Sequence, residues 1–433
     1  MTELAIILKS LRSRLFLTII TVITVAVSVA LMLTLLTMRE AGHDAFRRGS
    51  GTTHLLVSAD SSPLVSVLNG VFYANAPRNP IPWAKYEEIR SRFPWDFAIP
   101  TQLGDSYRGH PALATTRDFL EKFQPDPRGR FELASGRFFE APFEVVLGAE
   151  AARESRLKLG ATLFLTHGSG GSREGMEGEG EHAHADHEHT EFPYTVVGIL
   201  EPTGTPHDRL LITDLESTWI LHAHDRRHHA DHSISTTTSA DLLESDRLIT
   251  GILLRLPTRP GSAVSAGMQQ QFDQLRRDTS IVVAQPEQQI DKLFSIVGSI
   301  DRLFIAMAAV VMVGGGISIL LALASSMEAR RRQIAVMRVL GCSQMRIFSL
   351  VLTESALLGL LGAAVGITIG LIGCLVTAAI LRQTLGLVIE PNPRLHWLVI
   401  VAAATVVLAG LAGVIPAAMA YRTPVARNLR PIG

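Results

Sequence analysis

The sequence predicts a membrane protein with four transmembrane α-helices and a large α+β extracytoplasmic domain between the first and second. Three observations carry this prediction. The first is composition: 433 residues, 47% hydrophobic and 18% charged, with mean hydropathy +0.26, too apolar for an ordinary soluble chain of this size. The second is four apolar stretches that each reach the roughly 20 residues a bilayer core requires, at 15–38, 303–325, about 357–380 and 397–420. The third is where the arginines and lysines fall around them, because short cytoplasmic segments carry the excess of positive charge.

Residues 1–14 form an amphipathic cytoplasmic N-terminus bearing Lys9, Arg12 and Arg14. The span at 15–38 is longer than the 7 to 15 apolar residues of a signal-peptide core, and no A-x-A site follows. An uncleaved anchor is expected. Arg330, Arg331, Arg332, Arg338 and Arg346 lie between the second and third spans, and Arg422, Arg427 and Arg430 follow the fourth, so 326–347 and the tail 421–433 are also expected to be cytoplasmic. Residues 39–302 must then lie on the far side, enough chain for one or two folded domains. The third span, within 348–381, and the fourth are joined there by a short loop at 382–396.

The external segment mixes strand-like runs, "THLLVSA" (53–59), "YTVVGIL" (194–200) and "LITGILLRL" (248–256), with helix-like "WAKYEEIRSRF" (83–93), the mark of an α+β domain. Residues 168–190 turn Gly-rich, acidic and His-rich without periodicity, which reads as a solvated loop inserted into that domain. His182, His184, His187 and His189 fall within it, and His222, His224, His228, His229 and His232 follow about forty residues later. If the second group is helical, His224, His228 and His232 share one face at four-residue spacing, so neutral imidazoles could converge on Zn²⁺. The competing reading is a low-complexity segment that binds metal weakly and incidentally.

Other chemistries are excluded by what the residues lack. Net charge is zero and no basic run alternates with aromatics, so nucleic acid is not a partner. Cys342 and Cys374, the two cysteines, provide neither a disulfide framework nor a CxxC site. No H-E-x-x-H or G-x-S-x-G motif supports a zinc or serine hydrolase. A membrane-anchored sensor or metal-binding receptor remains the alternative class, although such a protein needs a longer cytoplasmic output segment than the arginine pattern leaves.

Between the second and third spans runs "MEARRRQIAVMRVLGCSQMRIF" (327–348). Ile334, Met337 and Leu340 recur at three-residue spacing, the arginines cluster at the start, and Gly341 is a natural stop, which predicts a short basic amphipathic helix. With the residues that follow, "RRQIAVMRVLGCSQMRIFSLVLTESALLGLLGAAVGITIG" (331–370) resembles the signature of FtsX/MacB/LolC-type ABC transporter permeases. Ile334, Arg338, Gly341 and Glu354 stand at that pattern's positions, with Gly359, Gly362, Gly366 and Gly370 in the span. The ending "AGVIPAAMAYRTPVARNLR" (412–430) matches at Pro424, Val425, Leu429 and Arg430. "LLVSADSSPLVSVLNGVFY" (55–73) and "LGDSYRG" (103–109) resemble an export-associated branch.

This resemblance implies a non-enzymatic permease of a bacterial inner membrane, working with a separate cytoplasmic ABC ATPase and pairing with itself or a homologous chain. It also implies export, efflux or release of an envelope substrate, with a periplasmic adaptor or lipoprotein as a further partner. A coupling helix would seat in a groove of the ATPase, placing Glu328, Arg330, Arg331, Arg332, Ile334, Met337, Arg338 and Gly341 at that contact. Ile334 and Met337 would be the apolar anchors. No G-x-x-x-x-G-K-[ST] phosphate loop occurs, so ATP is expected on the partner subunit. The His-rich insertion is not a general feature of the family. Glu354 is expected near the cytoplasmic end of its span, neutralised by Arg346 or lipid headgroups. Gly314, Gly315 and Gly316 with Gly359, Gly362 and Gly366 suit close helix packing, read here as favouring a permease dimer.

Overall fold

A computed structural model of the chain describes residues 7, 9, 11, 12, 14–126, 129–167, 191–230, 236–259, 265–385 and 391–421. They fall into two compact units. One holds residues 1–42, 296–384 and 389–433, and the other His43–Ser295 with Leu385–Val388.

The first helix, α1 (Leu15–Gly49), is followed by β1 (Leu55–Ser58), α2 (Pro63–Gly70), β2 (Ile81–Pro82), α3 (Trp83–Arg92), β3 (Phe97–Tyr107), β4 (His110–Thr115), α4 (Asp118–Glu121), β5 (Leu133–Gly136) and β6 (Glu144–Leu147). The domain continues with α5 (Ala149–Ser155), β7 (Thr162–Leu163), β8 (Thr166–His167), β9 (Tyr194–Leu200), β10 (Leu211–Asp214), α6 (Leu215–Ala230), β11 (Leu248–Ile249), β12 (Gly251–Arg255), α7 (Met268–Leu275) and β13 (Val282–Ala284). An eleven-stranded sheet runs β13-β1-β12-β3-β4-β10-β6-β9-β5, with β7 added on β9 and β8 on β3. The pairs β10/β4 and β6/β9 are parallel, and the other ladders are antiparallel. This is the α+β external-type domain that the mixed periodicity predicts.

The sheet is buried on both faces, which explains why its strands read as continuous apolar runs. Leu56 and Leu253 enter one core with Ile99, Phe119 and Ile212, while Leu55, Val57, Ile252 and Leu254 enter the opposite one with Tyr86 and Trp219. Alternation of period two therefore sorts neighbours between two cores rather than between core and water. The run at 248–256 is one strand in the sequence but two in the structure. Thr250 breaks it, donating its N–H to Thr101 O at 2.8 Å while its Oγ1 accepts from the Leu103 N–H at 3.0 Å. Leu248 and Ile249 then pair with β2, and β12 enters the main sheet. Helix α2 starts as its sequence dictates, with Pro63 in its first turn and Ser62 Oγ accepting from the Val65 N–H at 3.3 Å.

Inside this domain His207 occupies an aromatic box. Its ring lies 5.1 to 5.9 Å from those of Phe123, Phe119, Phe131 and Tyr73, and Nδ1 is 2.9 Å from Thr205 Oγ1. Full burial pushes its pKa down to about 3, so the imidazole is neutral.

The remaining helices are α8 (Pro286–Val339), α9 (Gln344–Leu385) and α10 (Leu395–Tyr421). Four helices, α1 and these three, are long and apolar enough to cross a membrane. Their shared core contains Val25, Val29, Ile319, Leu323, Leu358 and Val401, while Phe16, Val310, Leu375 and Leu411 point outward, as a lipid solvent allows.

The glycines of α9 have a specific use. A Cβ at Gly362 would lie 2.5 Å from Val25 Cγ1, one at Gly366 2.6 Å from Ala26 O, and one at Gly370 3.2 Å from Ala30 Cα. Spaced by four, they form a groove that admits the α1 backbone. Gly359 serves α10 in the same way, with Ala409 Cβ at 2.5 Å, and Gly316 receives Leu408 at 3.1 Å. Packing within one chain thus accounts for Gly316, Gly359, Gly362, Gly366 and Gly370, whereas a Cβ at Gly314 would meet nothing within 4 Å. Polar stitches accompany the groove, Ser28 Oγ to Val311 O at 3.1 Å and Thr34 Oγ1 to Gly370 O at 3.3 Å. At the far end of the bundle Glu40 accepts from Arg394 Nη1 at 2.7 Å and from Trp397 Nε1 at 3.1 Å, tying α1 to the entry of α10. Nothing in the sequence marks that contact.

Candidate coupling site

The expected separate helix between spans two and three does not exist as such. Residues 326–339 continue α8 without interruption, because nothing between Ser325 and Val339 breaks a helix: there is no proline or glycine. The stop is Gly341. It sits at φ +92°, the left-handed region where a side chain is strained, with its N–H donating to Arg338 O at 3.1 Å and the Cys342 N–H to Met337 O at 3.0 Å. That pair of bonds is a Schellman ending, satisfying two carbonyls the helix would otherwise leave open. Two residues later Ser343 starts α9, its carbonyl accepting from the Ile347 N–H at 3.3 Å and its Oγ from the Arg346 N–H at 3.3 Å. The turn 340–343 is thus fixed from both sides.

Which face of the α8 end is open differs from the sequence expectation. Ile334 is only 3% exposed and Ala335 fully buried; Ile334 packs with Met327, Ile347, Val351 and Ala417, and half-buried Met337 lies against the same cluster. Ile334 is therefore an anchor of the bundle itself, with Met337 beside it. Periodicity identifies an apolar face but cannot say whether the partner is another chain or this one. The open apolar residues are Leu340 at 81%, Val339 at 63% and Val336 at 44% exposure. Arg338 lies among them, and Gly341 bounds them. The side chains of Glu328, Arg330, Arg331 and Arg332 lie outside the described ones, although their backbone is helical.

Glu354 also departs from expectation. It is buried at 6% exposure and lines a small cavity of 20 Å³ with Arg14, Thr21 and Ser326, whose Oγ has no hydrogen-bond partner.

The histidines divide. His182, His184, His187, His189 and His232 lie outside the described residues. His222, His224 and His228 are on α6, so the second group is helical where it is described, and the rings of His224 and His228 stack at 5.9 Å as four-residue spacing requires. Yet His224 is buried, with Nδ1 3.1 Å from Thr237 Oγ1 and Nε2 3.5 Å from Glu191. Among the described residues no three His, Cys, Asp or Glu side chains stand close enough to hold a metal ion.

Four membrane-crossing helices and an α/β domain between the first and second define a multi-pass membrane protein of the permease type. Residues 18–266 match the MacB-like periplasmic core domain, and residues 305–425 match the FtsX-like permease C-terminal domain. The first match alone spans more than half of the 433 residues, and the chain belongs to this family of ABC transporter permeases. It is a transport subunit, not an enzyme, and ATP hydrolysis lies on a partner ATPase. The family also implies dimerisation. A search of curated proteins finds no match. Among solved structures, one match is the extracellular domain of a noncanonic ABC-type transporter, YknZ, from Gram-positive bacteria, at 8% identity, covering 53% of this chain and 98% of that one. Its TM-score of 0.26 is too low to carry an argument.

Proposed function

We propose that this permease transmits the motion of a cytoplasmic ATPase to its large domain, which faces outward from a bacterial inner membrane and there expels or releases an envelope substrate, with an adaptor or lipoprotein as a further partner. The observation that carries the reading is the exposed Val336, Val339 and Leu340 around Arg338, on a helix end locked by Gly341. Large apolar side chains between two spans, bordered by arginines, have the anchor and rim of a protein interface. The burial of Ile334 supports the transmission step, because a push on Leu340 acts on a helix end whose other face is fused to α9 and α10 through Ile347, Val351 and Ala417.

One residue tests both the contact and the side of the membrane. Leu340→Cys, made with Cys342→Ser, should react with an impermeant maleimide in inverted vesicles but not in intact spheroplasts, and bound ATPase should block the reaction. Labelling from outside would overturn the orientation. Leu340→Asp should reduce stimulated ATP hydrolysis at least tenfold, since a charge would enter a desolvated contact, while insertion and yield stay unchanged. Retained stimulation would remove Leu340 from the contact.

A zinc link to this activity is a second proposal, favoured by the stacked His224 and His228 and by Glu191 beside them at the end of the His-rich segment. Calorimetry on the full chain with and without residues 168–190 decides it. Deletion should abolish Zn²⁺ uptake, and equal titrations for the two forms would dispose of the link.

A further inference from the structure

A cavity of about 410 Å³ in the external domain opens where the chain leaves α1. Its walls bring together Arg47, Arg48 and Arg255, with Glu287 as the opposing carboxylate, and His54 and Thr53 below them. These residues come from three distant parts of the sequence, and no motif announces them.

The floor is rigid. Ser50 Oγ donates to Arg47 O at 2.9 Å, the His54 N–H to Leu254 O at 3.0 Å and the Leu256 N–H to His54 Nδ1 at 3.1 Å. Because His54 Nδ1 accepts, the ring proton is assigned to Nε2, the donor side. Gly51 sits at φ +55°, and a Cβ there would lie 2.4 Å from the Phe123 ring and 2.5 Å from Gln124 O, so the turn has a single way to pass. Arg255 Nη1 donates to Thr52 O at 3.1 Å, while its Nε meets Asp96 at 2.9 Å, which orients its guanidinium. Thr53 lines this floor at 9% exposure, and its buried Oγ1 has no hydrogen-bond partner. A buried hydroxyl left open in this way is a donor without a recipient. Glu287 Oε1 already sits 2.7 Å from Arg47 Nη2 and raises the guanidinium pKa further, so this spot already accepts one anionic group, a carboxylate of the chain itself, with which a bound anion would compete.

We propose that this cavity is a phosphate-monoester or phosphodiester site, binding a glycerophosphate-type group. Three guanidiniums with hydroxyl and imidazole donors match a tetrahedral oxyanion, which takes more bonds than one carboxylate can make. Two sources share that chemistry, a membrane lipid headgroup and a free phosphate ester. Arg47 follows the apolar run ending at Met38 by nine residues, which limits its distance from the bilayer to about 30 Å even if fully extended. The site stands independently of the ATPase contact.

The test uses the full chain in nanodiscs of neutral phosphatidylcholine, with sn-glycerol 3-phosphate titrated by calorimetry. One equivalent should bind, at least tenfold more weakly in R47Q/R48Q. Glu287→Gln, a change at an exposed residue that withdraws the competing carboxylate, should tighten binding severalfold with an unaltered melting curve. Discs of phosphatidylglycerol distinguish the sources: competition there assigns the site to the headgroup, and undiminished binding assigns it to the free ester. No binding in neutral discs, or equal affinity in the wild type, R47Q/R48Q and Glu287→Gln, would show a solvent-filled cavity and overturn the proposal.

Discussion

Gly366→Leu is expected to yield a permease that fails to assemble its helix bundle, with about 3 kcal/mol or more of destabilisation. Even a Cβ at that position would lie 2.6 Å from the Ala26 carbonyl oxygen and 2.6 Å from Val29 Cβ, and a backbone oxygen has no rotamer to escape into. Helices α1 and α9 would have to separate along the whole groove from Gly362 to Gly370. Dispersion contacts that close approach provides would be lost, in a solvent where no hydrophobic term compensates. Gly366→Ala isolates the effect. Alanine favours a helix by up to about 1 kcal/mol over glycine, so a lower melting temperature in Gly366→Ala would mean that the clash outweighs propensity. Gly314→Ala and Gly410→Ala are the controls, because an added Cβ there meets nothing within 4 Å. Those two variants should melt at or above the wild-type temperature in detergent. Equal behaviour of all three alanine variants would refute the groove.

The second large effect is acid sensitivity of the external domain through His207. Its pKa is about 3 in the folded protein and returns to an ordinary value near 6.5 on unfolding. Between those values the unfolded chain binds a proton that the folded one refuses, so stability is complete above about pH 6.5 and falls as pH drops toward 3. The slope is about 1.4 kcal/mol per pH unit, or on the order of 5 kcal/mol in total at pH 3. His110, also lowered by burial, adds in the same direction. Buried Asp208 and Asp214, whose carboxyl pKa values burial raises, act oppositely. The informative quantity is therefore a difference between proteins. His207→Phe fills the aromatic box without a titrating group and leaves Thr205 Oγ1 its 2.6 Å contact with Thr203. Urea unfolding of the full chain can be followed by tryptophan emission, since Trp83, Trp95 and Trp219 belong to this domain and only Trp397 does not. From pH 7 to 5 the wild type should lose about 2 kcal/mol more than His207→Phe. Parallel pH curves would mean that the box tolerates the imidazolium.

The architecture was legible in the sequence because its signals are local and long. Twenty apolar residues, an arginine cluster or the seven residues of β9 announce themselves without knowledge of any neighbour. What the sequence hides is which surface a residue meets. Ile334 has the spacing of an interface anchor, and spacing alone does not separate Met327 and Val351 of the same chain from the groove of another. Gly362 and Gly366 read as packing residues, but the partner, α1, lies more than 300 residues away in sequence. Glu354 and His224 were placed by residue type and position, whereas their burial depends on Arg14, Thr21 and Glu191 arriving from elsewhere. The three arginines of the phosphate cavity leave no periodic trace at all, since they meet only after β12 has joined β1.

The strand pairing around residues 168–190 has a consequence for how this protein can diversify. β8 is fastened to β3 through Ser106 and Asp105, and β9 to β6 and β5, so both ends of the intervening stretch are held by hydrogen bonds that do not depend on its content. Lengthening a tether between two such fixed posts costs only about 0.6 kcal/mol for each doubling. Mutation can therefore rewrite this interval, in length and in chemistry, without disturbing the sheet. The two fastened strands thus mark a graft point, a place where new chemistry could be added while the scaffold is kept.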